Sequence, residues 1–293
     1  MQPSKDHINF ILNKFKNKEY PKALKLSLDI TNVFPKYQQG WKILAAIYIE
    51  MGNYSQALEA NKISIKLVPN DASAYFNYGI TLTLSEKLIE AINAYNKAIY
   101  LKPNYIEALN NLGILYNKIE EFNKARDIFI KIVSIRPNIT TYTNLGNVYK
   151  NIKNNEEAIA CYKKAISIDK NYYQGYFNLG IIYTSIGKID DAITNFEKSI
   201  FLNPNYAEAH RQLSLLKKYS LNDEHLKYLL KFYNKNGISD FHKCNISFAL
   251  GKANEDLGDY NKSLFFYHEA NSLRKKLLNY DINQDIRLFS QIK

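Results

Sequence analysis

Residues 173–206 read YQGYFNLGIIYTSIGKIDDAITNFEKSIFLNPNY. Two residues of the segment YFNLGIIY, Tyr176–Tyr183, stand out. Gly180 interrupts a run otherwise suited to a helix, and Asn178 sits among apolar neighbours. A glycine inside a helix costs roughly 0.5–1 kcal/mol against alanine, so it needs a compensating reason. Recurrence supplies one. Gly79, Gly113, Gly146 and Gly180 follow at steps of 34, 33 and 34 residues. Ala57, Ala91, Ala125, Ala158 and Ala192 step by 34, 34, 33 and 34. Pro35, Pro69, Pro103 and Pro137 step by 34 each, and Pro204 stands two periods further on, less one residue, with Lys170 in the slot between. Five of the seven prolines therefore mark one phase, and a fixed period of this size points to stacked structural repeats.

Within each period, positions 4, 7, 8 and 11 fall on one face of a first helix by 3.6-residue periodicity, and positions 20, 24 and 27 on one face of a second. Small residues at 8 and 20 are expected to let the two helix backbones approach closely. Proline at 32 is expected to end the second helix, because it cannot continue the hydrogen-bond ladder. The unit 173–206 fills these places with Tyr176, Leu179, Gly180, Tyr183, Ala192, Phe196, Ser199 and Pro204. The unit 72–105 uses Tyr75, Tyr78, Gly79, Leu82, Ala91, Tyr95, Ala98 and Pro103, and the unit 38–71 uses Trp41, Leu44, Ala45, Tyr48, Ala57, Ser64 and Pro69.

This pattern resembles the tetratricopeptide repeat. The resemblance implies an all-α fold, a right-handed superhelical solenoid of antiparallel helix pairs with a concave groove. Units are assigned to 4–37, 38–71, 72–105, 106–138, 139–172 and 173–206, with a further helix to 219, so the array spans 4–219. The first unit is the weakest: His7, Phe10, Ile11 and Lys14 occupy its first helix, while Ala23 and Pro35 keep the phase. Residues 220–293 are expected to form a helical junction or capping region. It contains a helix capped by Asn222 or Asp223 and ending before Gly237, and a degenerate repeat at about 244–277 marked by Leu250, Gly251, Gly258, Tyr260, Tyr267 and Ala270.

Repeats of this family bind extended peptides or helices along the concave face, lined by positions 2, 5, 6, 9, 12 and 13 of the first helices. Position 6 reads Asn77, Asn111, Asn144, Asn178 and then Gln212, with Ile43 interrupting the row before it. The row resembles the asparagine ladder in the repeat domain of O-linked N-acetylglucosamine transferases, where amides hold a peptide's main chain. A primary amide offers donors and an acceptor that match a peptide N–H and C=O. Each such bond is worth roughly 0.5–1.5 kcal/mol, so the ladder alone is a weak, sequence-tolerant grip. The carboxylate clamp of heat-shock-chaperone adaptors is not reproduced: Lys42 followed by Asn77 is its nearest approach, and Ala46, Glu107 and Asn111 hold the other clamp places.

The stretch from Ala209 to Leu226, AHRQLSLLKKYSLNDEHL, followed by ISFALGKANEDLGDYNKSLFFYHEANSLRKKL, is similar to the junction segment of bacterial tetratricopeptide-repeat sulfotransferases. In those proteins a sulfotransferase domain follows, holding the sulfate donor near a PRSGT sequence. Neither that sequence nor a P-loop is present, and the chain stops at DIRLFSQIK, about where such a domain would begin. The implied function is a non-catalytic scaffold binding a protein or peptide. One alternative is the substrate-recruiting part of a sulfotransferase whose catalytic domain lies outside this chain, and that domain would then be a further partner at its C-terminal end. A second is a repeat module associated with a glycosyltransferase.

Composition predicts a folded, soluble chain: 46% of the 293 residues are hydrophobic and 23% charged, outside the range of disordered chains. No run of 18 apolar residues and no signal-peptide core are present, so a cytoplasmic location is expected. The net charge of +11 comes from lysines dispersed among acids, which argues against nucleic acid or a membrane as partner. No cofactor and no metal are expected, since Cys161, Cys244 and the five histidines show no ligand spacing. No catalytic residues are assigned. The pairs Glu120–Glu121, Glu156–Glu157 and Asp190–Asp191 fall where acids favour a helix N-terminus.

Overall fold

The computed structural model describes residues 2–279 and Ser290; the last residues of the expected junction region, 280–289 and 291–293, lie outside the described residues. The described residues form helices and no strand. They divide into two compact units, 1–137 and 138–293.

Unit 1 contains α1 (Lys5–Lys16), α2 (Tyr20–Val33), α3 (Gln38–Glu50), α4 (Tyr54–Leu67), α5 (Ala72–Leu84), α6 (Leu88–Leu101), α7 (Ile106–Lys118) and α8 (Phe122–Ile135). Each odd-numbered helix packs on the next to form a hairpin, and α2, α4 and α6 each pack on the first helix of the following hairpin. Unit 2 contains α9 (Ile139–Asn151), α10 (Asn155–Ile168), α11 (Tyr173–Ser185), α12 (Ile189–Leu202), α13 (Ala207–Leu216), α14 (Glu224–Tyr233), α15 (Asp240–Asp256) and α16 (Tyr260–Leu277). Here the regular order holds as far as α12. Then α13 packs mainly on α15, and α15 pairs with α16. One core joins Ala207 and Tyr219 to Leu226, Leu229, Phe232, Ile246, Leu250 and Phe266, so residues on both sides of 219 share it.

The glycine at position 8 has a reason different from the expected one. A Cβ added at Gly180 would lie 2.6 Å from the Phe196 ring, with ring atoms and not helix backbone as its nearest neighbours. Gly79 meets Tyr95, Gly113 meets Phe129 and Gly146 meets Tyr162 in the same way, at 2.6, 2.9 and 2.8 Å. The glycine thus makes room for the aromatic ring of position 24 rather than for close backbone approach. Burying that ring is worth about 1.5–3 kcal/mol, which offsets the helical cost of glycine. Where position 24 is not aromatic, position 8 grows. Ala45 and Asn61 in one unit, and Ile11 and Ser27 in another, hold these two positions, and all four are buried. Positions 8 and 24 share one volume, filled from either side, as close packing requires. This explains why the first unit looks weak in sequence. Gly251 meets Tyr267 at 2.8 Å, so the α15–α16 hairpin carries the same lock.

The turn between the helices of each hairpin places one residue in the left-handed region: Lys18, Gly52, Glu86, Glu120, Lys153, Gly187 and Gly258, with φ from 59° to 76°. Second helices end at Val33, Leu67, Leu101, Ile135 and Leu202, two residues before the phased prolines. However, α10 ends at Ile168 in the same register with Lys170 in the proline slot. Proline marks the helix end without being required for it.

Candidate functional site

In unit 1 the first helices of successive hairpins line a row of cavities. One, of about 310 Å³, is bounded by Phe15, Gln39, Lys42, Ile43, Ser73 and Asn77. A second, of about 170 Å³, shares Ala46 and Asn77 with it and adds Ile49 and Ile80. A third, of about 200 Å³, lies between Ile80, Leu84, Asn111, Ile114 and Lys118. Almost all of these residues occupy the repeat positions that line a groove by resemblance. The half-buried Asn77 and Asn111 both face cavities, with isoleucines one turn further along their helices.

The asparagines differ in what else they do. The Tyr95 hydroxyl lies 3.2 Å from Thr83 Oγ1. Burial raises the Tyr95 pKa, and the neighbouring Thr83 and Asn111 side chains oppose that rise. Asn111 and Tyr95 line the same cavity. The side chain of Asn77 makes no hydrogen bond to another described residue. Lys42 is ion-paired to Asp71 and donates to Ser73 Oγ at 2.6 Å. Burial alone would raise the Asp71 carboxyl, but bonds from Lys42, Ser73 and Gln38 outweigh it and hold the carboxyl down to about 2. This ammonium is neutralised within the fold.

In unit 2, Asn144 lies on α9, Asn178 on α11 and Gln212 on α13, all half-buried. Asn144 is engaged within the chain. The Asn178 and Gln212 side chains make no hydrogen bond to another described residue. The Tyr162 hydroxyl, equivalent to that of Tyr95, donates instead to Asn147 Oδ1 at 2.8 Å. Lys150 on α9 is half-buried and forms no ion pair with a described carboxylate; burial lowers its pKa.

Sequence reasoning missed a buried polar chain at the end of the repeats. His210 is fully buried. Its Nε2 lies 2.8 Å from the Pro204 carbonyl, and its Nδ1 lies 2.8 Å from His225 Nε2. The Tyr219 hydroxyl lies 2.7 Å from His225 Nδ1. A carbonyl only accepts, so His210 Nε2 carries the proton; His225 Nε2–H then donates to His210 Nδ1, and Tyr219 O–H donates to His225 Nδ1. Both rings are neutral in this arrangement. Burial pulls His210 down to about 4; burial, then the neighbouring His210 and Lys217, pull His225 down to about 3. The Tyr228 hydroxyl also donates to the Pro204 carbonyl, at 2.7 Å. Asp223 caps α14 by accepting from His225 N and Leu226 N at 2.8 and 3.2 Å, as expected.

Both cysteines are free and buried, and burial raises the Cys161 thiol to about 11. No group of three or more His, Cys, Asp or Glu that could hold a metal occurs among the described residues. No helix among them is long and apolar enough to cross a membrane.

These hairpins, with a shared volume between positions 8 and 24, define a helical-repeat protein. Models of the tetratricopeptide repeat match residues 139–172, 173–206 and 106–139, and a TPR-repeat model matches 81–119, so the hairpins over these residues are similar to that family. Comparison with curated proteins finds no matching sequence. Among solved structures, the C-terminal part of a TPR repeat-containing protein from Cytophaga hutchinsonii aligns with a TM-score of 0.63 at 17% identity, over 88% of this chain and 98% of that one. PilW, a type IV pilus biogenesis factor, aligns with a TM-score of 0.61 at 19% identity, over 73% and 99%. MamA from Desulfovibrio magneticus aligns with a TM-score of 0.55 at 21% identity, over 58% and 96%. At these identities the likeness concerns the fold.

Proposed function

We propose that the chain is a non-catalytic scaffold that holds an extended peptide of a partner protein along the first helices of its repeats. The amides of Asn77, Asn111, Asn144, Asn178 and Gln212 would bond the peptide main chain. The observation that supports this reading is the row of cavities in unit 1, which Asn77 and Asn111 line beside Ile80 and Ile114. Amides there can satisfy a peptide backbone while the apolar neighbours cover its side chains. Asn77 and Asn178 are the rungs to test, because neither is bonded within the described protein. Each Asn→Ala change should weaken unrelated peptides alike, by roughly two- to tenfold, as expected for one hydrogen bond. A peptide array read with both variants tests this, and undiminished binding would overturn it. The same groove would serve a linked sulfotransferase as its recruiting arm. That extension rests on the sequence from Ala209 to Leu277, and a sulfate-transfer assay on the full natural protein tests it.

A further inference from the structure

We propose that Arg211 and Arg274 form a carboxylate-binding site in unit 2, and that the peptide partner is acidic where it crosses α13. The partner's being a peptide rests on the function proposed above; the arginine pair does not.

Two contacts link the helices that carry the two arginines. The Arg211 guanidinium carbon, on α13, lies 4.2 Å from the centroid of the Phe248 ring on α15. One turn before Phe248, Cys244 Sγ donates to the Ala270 carbonyl of α16 at 3.3 Å, and one turn beyond Ala270 stands Arg274. Arg211 is half-buried and Arg274 exposed, and both charges act on Cys244. Their charges lower its thiol pKa against the rise caused by burial. Burial first, then the charge of Arg274, weakens the hold of Arg211 on its proton.

Neither arginine forms an ion pair with a described carboxylate, while the acids around them are in use. Glu269 takes Lys243 at 2.9 Å and Ser247 at 2.7 Å. Asp240 takes Lys276 at 2.6 Å, Asp256 takes Lys252, and Glu255 accepts from Tyr267 at 3.0 Å. Glu208, one turn before Arg211 on α13, forms no ion pair with it. The half-buried Arg211 carries a charge opposed by the like charge of Arg274, and an anion bound by both would relieve that repulsion. The planar fork of arginine suits a carboxylate, and stacking on Phe248 orients it beforehand. Gln212, the next residue, would hold the main chain while Arg211 takes the side chain. The half-buried, unpaired Lys150 adds a second positive centre on a first helix of the same unit.

The test uses the full chain and two labelled peptides of equal length, one rich in Glu and one with Gln at each Glu. NMR of the arginine Nε–H signals and fluorescence anisotropy are read together. Arg211 and Arg274 signals should shift with the Glu peptide and not with the Gln peptide. Arg274→Gln should weaken the Glu peptide about tenfold or more, as for a charge-assisted bond, leave the Gln peptide unchanged, and leave the melting temperature equal or higher. Arg211→Lys, which keeps the charge but not the fork, should weaken the Glu peptide as well. Equal affinity for the two peptides, or an Arg274→Gln variant that binds the Glu peptide normally, would overturn the proposal. Inorganic phosphate that moved both signals at the peptide's concentration would replace the acidic peptide by a general oxyanion site. Should Asn77→Ala and Asn178→Ala prove silent while the arginine signals still respond to Glu, the ladder fails and the arginine site stands.

Discussion

Trp41 and His210 occupy the same place in their repeats, and each donates a ring N–H to the carbonyl of the phased proline six residues before it. The distances are 2.8 Å from Trp41 to Pro35 and 2.8 Å from His210 to Pro204. Indole nitrogen can only donate, so the shared geometry supports the donor role of His210 Nε2. The difference lies in what the ring offers on its other side. Trp41 has no second nitrogen, and its contacts continue as an apolar cluster with Leu44, Ala45 and Tyr48. His210 presents Nδ1 inward, and that acceptor recruits His225 and then Tyr219. One atom turns an ordinary repeat junction into a titratable cap.

The largest expected effect of this difference is acid sensitivity confined to the cap. His210 and His225 are neutral when folded, with pKa values near 4 and 3 against the usual 6.5. Once unfolded they take up protons below about pH 6.5. Their contribution is therefore complete above pH 6.5 and lost as pH falls toward 4. For His210 alone the loss is on the order of 3 kcal/mol. Hydrogen exchange at pH 7 and pH 4.5 should show α13–α15 opening more readily in acid, while α2–α3 around Trp41 keeps its protection. Equal loss at both junctions would break the comparison.

The shared volume of positions 8 and 24 sets the next effect. Gly180→Ala should cost about 1–3 kcal/mol by overpacking against Phe196, despite alanine's better helix propensity. Combining it with Phe196→Leu should recover part of that loss, seen as a favourable coupling in denaturant unfolding. Purely additive losses would mean that the ring does not decide the glycine. A smaller effect is expected at the unit 1 junction. Trp41→Phe keeps an aromatic ring but loses the indole N–H donor and some volume, for about 1–2 kcal/mol, and should leave the response to pH unchanged. The smallest is a gain. Glu86 holds a left-handed turn position that Gly52 and Gly187 fill elsewhere, so Glu86→Gly should stabilise by about 0.5 kcal/mol, relieving the backbone against the entropy of glycine. Thermal unfolding reads the sign.

The periodic features are legible in the sequence. Helix pairing, the register of helix ends near each phased proline, the hairpin near 244–277 and the Asp223 cap all follow from local spacing. Features that depend on which atoms converge are not legible there. Spacing alone makes Gly180 a site of backbone approach, and only the position of the Phe196 ring corrects this. The five position-6 amides look equivalent in sequence. The hydroxyl of Tyr95 pairs with Thr83 beside Asn111, while that of Tyr162 bonds Asn147. Residues 204, 210, 219 and 225 have no common period, so their chain leaves no sequence signal.

The sequence by itself determined the repeat period, the helical class and the register of the hairpins, because helix periodicity and turn chemistry act between residues close in the chain. The tertiary structure decided which side chain fills each shared volume, which position-6 amides are bonded within the described protein, and that His210 caps the regular repeats through a buried hydrogen-bonded chain. Those outcomes depend on packing and desolvation among residues distant in sequence, where a difference of one ångström separates a bond from a clash.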